Sequence, residues 1–410
     1  MMTYRQATLT NNAGAAGQAR RYGAIKQQVG LDMWILIPAV ILAAIGLVMV
    51  GSASIAIAEG QGLGSHYYTW KHAAYLSFGV LSALLFTLLS TEFLYKISRP
   101  MMLLGALVLL TVFIPGLGKV VNGSARWIHL GPINFQTVEA AKLMLIVYMA
   151  GYLVRHQDAI QTNFFATFKP LMIAGLYMVI LLLQPDLGSA VVITFIVGGM
   201  LFLAGAAWKH IAILIALISP AFIWAAMEPY RLRRIVSFMD PWADPFNSGF
   251  QLTQALIAIG RGEMFGVGLG GSIQKLFYLP EAHTDFIFSV YAEEMGLVGV
   301  LVLMMLFVTL IGRVLMVGLA SVQAKRHFAG FLAYGVGLWL SFQALVSMGV
   351  NMGVLPTKGL TLPLISSGGS SILMTCMAIG LVLRVKYELD LEADPRIKRR
   401  RELAGYSNAQ

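Results

Sequence analysis

Apolar runs of about 18 residues or more, broken by short polar clusters, recur along the chain from Met33 onward. In hydrocarbon every backbone N–H and C=O must be satisfied within its own segment, so such runs predict membrane-crossing helices. Ten are legible, near residues 33–56, 72–90, 101–117, 137–154, 170–184, 188–205, 211–227, 286–312, 329–350 and 370–386. The pattern predicts an all-α polytopic membrane protein of about ten transmembrane helices. Residues 1–30 read as a disordered basic tail, 31–390 as the membrane domain and 391–410 as a second basic tail. "GSASIAIA" resembles a signal-peptidase site, but the run from Met33 to Val50 is too long for an ordinary signal core and predicts an uncleaved first span. One connection breaks the rhythm. Between spans seven and eight, residues 228–285 form a large loop rich in Gly, Pro and charge, of a length usually kept for function or linkage.

Composition agrees with this picture and adds an orientation. The chain of 410 residues is 58% hydrophobic and 12% charged, half the charge of a typical soluble domain. If the N-terminus is cytoplasmic, most of the 29 Lys and Arg fall on the inner side. They include Arg20, Arg21 and Lys26 before span one, Lys96, Arg99, Arg155, Lys169, Arg313 and Lys325 between spans, and the cluster Arg396–Arg401 at the end. Inner loops rich in Lys and Arg are what insertion selects, so both termini are expected inside and residues 228–285 outside. The terminal "RIKRRRE" is expected on anionic headgroups. The single cysteine, Cys376, excludes an internal disulfide and reads as a packing residue.

In this topology the chemistry-bearing clusters collect on the outer side. Arg126 and Trp127 precede span four, where a Trp also serves as an interfacial anchor. Glu139 and Lys142 lie three apart on one helical face at the start of that span, either as a neutralised pair or facing water. "QPDLG" turns between spans five and six and puts Gln184 and Asp186 at the boundary. In the large loop, Arg231, Arg233 and Arg234 suit phosphate or a solvated basic face. "GRGEMFGVGLGGS" is glycine-rich but lacks the strand and Lys-Ser/Thr context of a phosphate loop. With no HExxH, no paired CxxC and only His66, His129 and His283 facing outward, a protein-only transition-metal site is not expected. "YLPEAHTDFIF" then places Glu281, His283 and Asp285 at the mouth of span eight. There a helix dipole favours an anion, whether the Asp merely stabilises the helix or acts as a base. Beyond span nine, "LPTKGLTLPLISSGGSS" adds Lys358, Ser366 and Ser367 at the same level. Several polar groups converging on one side suggest an outer cavity for an amphiphile with an anionic head.

"GSARWIHLG", "QPDLG", "LPEAHTDFIF" with "EEMG", and "LPTKGLTLPLISSGGSS" together resemble the SEDS family of bacterial cell-wall polymerases, over about residues 30–390. "GRGE", "SIQK" and "YLPEAHTDF" look more like its division branch, FtsW, than its elongation branch, RodA. The resemblance implies a peptidoglycan glycosyltransferase of the inner membrane and division septum. Such an enzyme joins lipid II disaccharide-pentapeptide units into β-1,4 glycan strands and releases undecaprenyl pyrophosphate. It matches Asp285 to the family's essential aspartate, expected here to act as the catalytic general base, and it matches Arg126, Glu139, Lys142 and Asp186 to polar family positions. With Gln184, Glu281, His283, Lys358, Ser366 and Ser367 these form the expected substrate-binding set, Glu281 and His283 orienting the loop. The implied partners are lipid II, the nascent strand, the class B penicillin-binding transpeptidase FtsI, and FtsQ, FtsL, FtsB and FtsN; nucleic acid is not among them. No certain cofactor is implied; a divalent cation, Mg or Mn, shared by pyrophosphate and a carboxylate such as Glu139 stays open. Thr137, Val138, Ser367 and Gly271 depart from the family pattern. A lipid II flippase and a non-catalytic divisome scaffold are the rival readings from other classes.

Overall fold

The computed structural model describes residues 30–121, 124–131, 133–228, 236–356 and 359–393. Asp32–Val385 form one compact unit. The other unit comprises 1–31 and 386–410; its described residues include the Lys386–Asp390 ion pair, one turn apart on a helix.

A helix stands at each of the ten expected places: α1 Met33–Gly60, α2 Tyr67–Thr87, α3 Thr91–Leu110, α4 Thr137–Arg155, then after the short α5 Gln157–Thr162, α6 Phe164–Leu183, α7 Leu187–Leu203 and α8 Trp208–Ala226. After α9 Phe250–Arg261 in the large loop come α10 Ile287–Gln323, α11 His327–Asn351 and α12 Gly369–Ala393. Among the described residues, six helices are long and apolar enough to cross a membrane, which makes the chain a multi-pass membrane protein. They are α1, α3 with its 3-10 extension to Phe113, α4, α6, α10 and α11. Apolar α7 is shorter.

Several helix starts are written in sequence. Asp32, Ser90, Asn163 and Asp186 each accept a backbone N–H of the first turn of the helix they precede. Each such cap contributes about 0.5–2 kcal/mol. Asp32 also meets Arg313 Nε at 2.9 Å, tying the start of α1 to α10.

The burial pattern is that of a protein solvated by lipid. α4 and α11 are the least apolar of the six, yet 89% and 72% of their apolar windows are buried. α1 and α10 are the most apolar, and only 44% and 33% is buried. With lipid tails as apolar as Leu, burial follows packing and polar contacts rather than hydrophobicity. Small residues allow close approach: a Cβ on Gly330 of α11 would lie 2.9 Å from the Gly318 carbonyl of α10.

Two features depart from an all-helical expectation. The segment before α4 folds into a three-stranded antiparallel sheet, β1 Gly118–Val121, β2 Ser124–Leu130 and β3 Ile133–Gln136, with Lys119 and Gln136 both paired to Trp127. β1 and β3 have four residues each, and in the seven of β2 the adjacent Trp127 and Ile128 break the alternation, so the hydrophobic pattern passed over them. The other is a break within α10. Gly296 adopts φ 65° and ψ −170°, interrupting the helix that begins beside Asp285.

Candidate functional site

The break at Gly296 frees four backbone groups, and the glycine-rich loop takes all four. Val267 and Gly268 N–H donate to the Glu293 and Glu294 carbonyls at 3.0 and 3.1 Å, while Leu297 and Val298 N–H donate to the Glu263 and Met264 carbonyls at 2.9 and 3.1 Å. Irregular backbone at membrane depth persists only where protein covers it in this way. The glycines permit the approach: Gly266 has φ +78°, and a Cβ there would lie 2.1 Å from the Glu294 carbonyl. "GRGEMFGVG" is therefore a helix-break patch, which explains its glycines without a phosphate.

Two fully buried carboxylates rivet the patch in place. Glu293 accepts from Arg261 Nη1 at 2.6 Å, from Ile273 N–H at 3.1 Å and from the Ser272 hydroxyl. Glu294 accepts from Lys275 Nζ at 2.8 Å and from Ser52 Oγ of α1 at 2.7 Å. Lys275 spends its remaining two N–H groups on Ser52 Oγ and the Gly270 carbonyl, each at 2.8 Å. Both acids stand in "EEMG", where the sequence alone shows no role for them because their partners lie in another loop and another helix. The clamp fixes the two turns of α10 between Asp285 and the break.

Asp285 sits just outside that helix, half-buried. Its backbone carbonyl accepts from Asn351 Nδ2 at 2.9 Å, and Asn351 Oδ1 in turn accepts from Ser289 N–H and Oγ. Its carboxylate lies against Gly359: a Cβ there would be 2.9 Å from Asp285 Oδ2. Glu281 and His283 hold the approach to it. The Glu281 carbonyl accepts from Thr284 and Phe286 N–H, and its carboxylate from Thr284 Oγ1 at 2.6 Å. The His283 carbonyl accepts from Ser367 N–H at 3.0 Å, and its ring packs on Tyr68. Burial pushes the imidazole below its ordinary 6.5, against the pull of Glu281 and with that of Lys71.

The second pole is the Glu139–Lys142 pair, buried at 4% and 1% exposure. Lys142 Nζ donates to Glu139 Oε1 at 2.9 Å and to Gln343 Oε1 at 2.8 Å, and lies 4.7 Å from the Trp339 ring centroid. Gln343 also accepts from Trp339 Nε1 at 2.7 Å and donates to the Thr361 carbonyl at 3.0 Å. One loop thus touches both poles: Gly359 meets Asp285, and two residues on Thr361 reaches the Lys142 network. Ser366 stiffens that loop by accepting from Leu362 N–H at 2.7 Å.

Arg126 and Asp186 form a third group beside β2. Arg126 Nε lies 3.8 Å from Asp186 Oδ2, and Nη2 donates to the Pro185 carbonyl. Asp186 also caps α7 through Ser189. Gln184 turns away and donates to the Leu109 carbonyl at 2.7 Å, a buried tie to α3. Gln136 N–H donates to Ser370 Oγ at 2.9 Å, joining the sheet to the start of α12. Lys358, Arg231, Arg233 and Arg234 lie outside the described residues.

Glu139 offers a divalent cation one oxygen at most. One of its oxygens is held by an ammonium and the other, Oε2, is buried without a hydrogen-bond partner. Among the described residues, no three His, Cys, Asp or Glu side chains converge as a metal-holding group.

Residues 32–391 match the family model FtsW/RodA/SpoVE, described as a cell cycle protein. The chain is 50% identical over 376 residues to a probable peptidoglycan glycosyltransferase FtsW of Xanthomonas oryzae pv. oryzae, covering 91% of this chain and 76% of that one. It is 49% identical over 388 residues to the protein of the same description from Nitrosococcus halophilus, covering 93% and 99%. Among solved structures it resembles a chain of a peptidoglycan synthase complex described as coordinating polymerization and crosslinking, with TM-score 0.74, 31% identity and coverage of 88% and 98%. It also resembles the rod shape determining protein RodA of Thermus thermophilus, with TM-score 0.64, 30% identity and coverage of 88% and 97%.

Proposed function

The chain belongs to the FtsW/RodA/SpoVE family of cell cycle proteins, and from that premise we propose that it is a peptidoglycan glycosyltransferase of the division branch. It joins lipid II units into β-1,4 glycan strands at the outer face of the cytoplasmic membrane. The observation that carries the reading is Asp285, a half-buried carboxylate at the mouth of α10, beside the loop that also reaches the buried Lys142.

The chemistry follows from the two reactants. The acceptor 4-hydroxyl is a poor nucleophile at neutral pH, and a carboxylate that removes its proton during attack supplies about 10²–10⁴ in rate. Asp285 takes that role. The donor leaves as undecaprenyl pyrophosphate, so the second need is positive charge at the departing oxygens. Arg126, 30% exposed, presents its guanidinium there, Lys142 adds its charge from beneath the loop, and Lys358 supplies a third cation. With one base and no nucleophile paired to a base of its own, the displacement is single and inverts the α-linked donor to a β bond. The clamp at Glu293 and Glu294 keeps the base at a fixed height by holding the helix turn behind it.

In this reading ten spans cross the membrane, both termini are cytoplasmic, and residues 228–285 lie outside. The protein works at the septum with the class B transpeptidase FtsI and with FtsQ, FtsL, FtsB and FtsN. Similarity to a chain of a solved peptidoglycan synthase complex supports a transpeptidase partner. Purified protein given lipid II alone, and then lipid II with the transpeptidase, tests the proposal. Strands made in either condition and lost with Asp285 support a polymerase. Lipid II translocated across vesicles without strand formation would indicate a flippase instead.

A further inference from the structure

A cavity of about 510 Å³ lies at the opposite end of α4 from Lys142, lined by Arg99, Tyr148, Tyr152, Arg155, His156 and Lys169. At 1.5 Å rise per residue, Lys142 and Arg155 are separated by about 20 Å along that helix, so the cavity is no part of the site above. The Lys and Arg distribution assigns this end to the cytoplasmic leaflet. We propose that the cavity is a binding site for the phosphodiester head of an anionic phospholipid of that leaflet.

The lining is of one sign. Arg99, Arg155 and Lys169 bring three positive charges, and no carboxylate lines the cavity. Among the described residues none of the three forms an ion pair. Snorkelling side chains at a membrane surface would spread into water. Here Arg155 is folded back and held: Nη1 donates to Ser98 Oγ at 2.9 Å, and the guanidinium carbon lies 5.8 Å from the Tyr95 ring centroid. Gly151 makes room for it, since a Cβ at that position would come within 2.9 Å of Arg155 Nη1. Ser98 uses one of five guanidinium N–H groups, which leaves the fork that suits a phosphate.

The walls are rigid as well. His156 stacks on Tyr152 at 4.2 Å between ring centroids, and Tyr152 Oη donates to the Ala166 carbonyl at 2.9 Å. His156 Nδ1 lies 3.1 Å from the Tyr152 carbonyl. A carbonyl only accepts, so Nδ1 carries a proton in this contact.

A lipid rather than a free phosphate fits because an apolar path leaves from the same place. On α6, Phe165, Lys169, Met172 and Leu176 follow one another at helical spacings of four, three and four, so they share a face. Phe165, Met172 and Leu176 are exposed at 75%, 61% and 51%. A head bound at Lys169 would lay its acyl chains along Met172 and Leu176.

The test uses full-length protein in neutral detergent, with dioleoylphosphatidylglycerol, dioleoylphosphatidylcholine and inorganic phosphate as probes. Lipid retained on the protein is read by native mass spectrometry. Phosphatidylglycerol should bind selectively over phosphatidylcholine, and millimolar phosphate should not displace it. The double variant Arg99→Gln/Lys169→Gln changes two exposed side chains and should melt like the parent in lipid-free detergent. Its affinity for phosphatidylglycerol should fall about thirtyfold, from two charges lost at headgroup level. Equal retention of both lipids, or unaltered phosphatidylglycerol binding by the variant, overturns the site. Displacement by free phosphate overturns the lipid as its occupant.

Discussion

Replacing Lys275 with methionine removes the cation from a carboxylate that has no route to water. Glu294 is fully buried, one of its oxygens is shared by Lys275 and Ser52, and the other has no hydrogen-bond partner. Breaking a buried pair by deleting one member costs about 3–5 kcal/mol, because the survivor keeps its desolvation penalty. Glu294→Gln keeps an acceptor for Ser52 and Lys275 but leaves the buried ammonium uncompensated, at about 3–5 kcal/mol by the same argument. The double variant Lys275→Met/Glu294→Gln removes both charges of this pair and leaves Glu293 with Arg261. Its loss should fall short of the sum of the single losses by about 2 kcal/mol or more. The assay is a double-mutant cycle on denaturant midpoints of purified protein in one detergent. Polymerisation rates measured alongside should follow stability, recovering in the double variant relative to Lys275→Met. Additive losses, or a Lys275→Met loss below about 1 kcal/mol, would show that the clamp carries no charge coupling and that its account is wrong.

Other perturbations separate the remaining roles. Lys142→Met strands the Glu139 carboxylate and should cost about 3–5 kcal/mol; adding Glu139→Gln should restore the melting temperature but not strand synthesis, and restoration of both would make the pair purely structural. Gly296→Ala puts a Cβ 2.3 Å from Gly266 N at φ +65°. It should strip amide-exchange protection from residues 263–268 and lower stability by at least about 1–3 kcal/mol; unchanged exchange would contradict the patch. His283 is held below 6.5 by burial, so the unfolded chain gains a proton first as pH falls, and stability drops below about pH 6.5. His283→Asn should flatten that acid limb in melting curves, and an unaltered limb would assign it to other groups.

The helical architecture was legible because a lipid solvent demands long apolar runs, six of which among the described residues are long and apolar enough to cross a membrane, and each run could be read without knowing its neighbours. The register of the pairings was not. Lys142 and Glu139 announce each other by their spacing, but Gln343, which completes their network, lies on another helix. Glu294 depends on Ser52 in the first helix and Lys275 in the loop. The break in α10 was hidden because "EEMGLVGVL" continues an apolar helical run, and only the loop packed against it makes Gly296 intelligible. Asp285 stood out through its motif. The sequence could not show that Gly359 and Thr361 would tie it to the Lys142 pole.

The central assignment is tested most directly by Asp285→Asn. Purified variant and parent are given lipid II under identical conditions, and glycan strands are resolved by gel after removal of stem peptides. With amide in place of carboxylate the base is gone while the shape remains. Strand synthesis should fall by about 10²–10⁴, with membrane insertion and melting temperature unchanged. Strands formed by the variant at the parental rate would contradict the account.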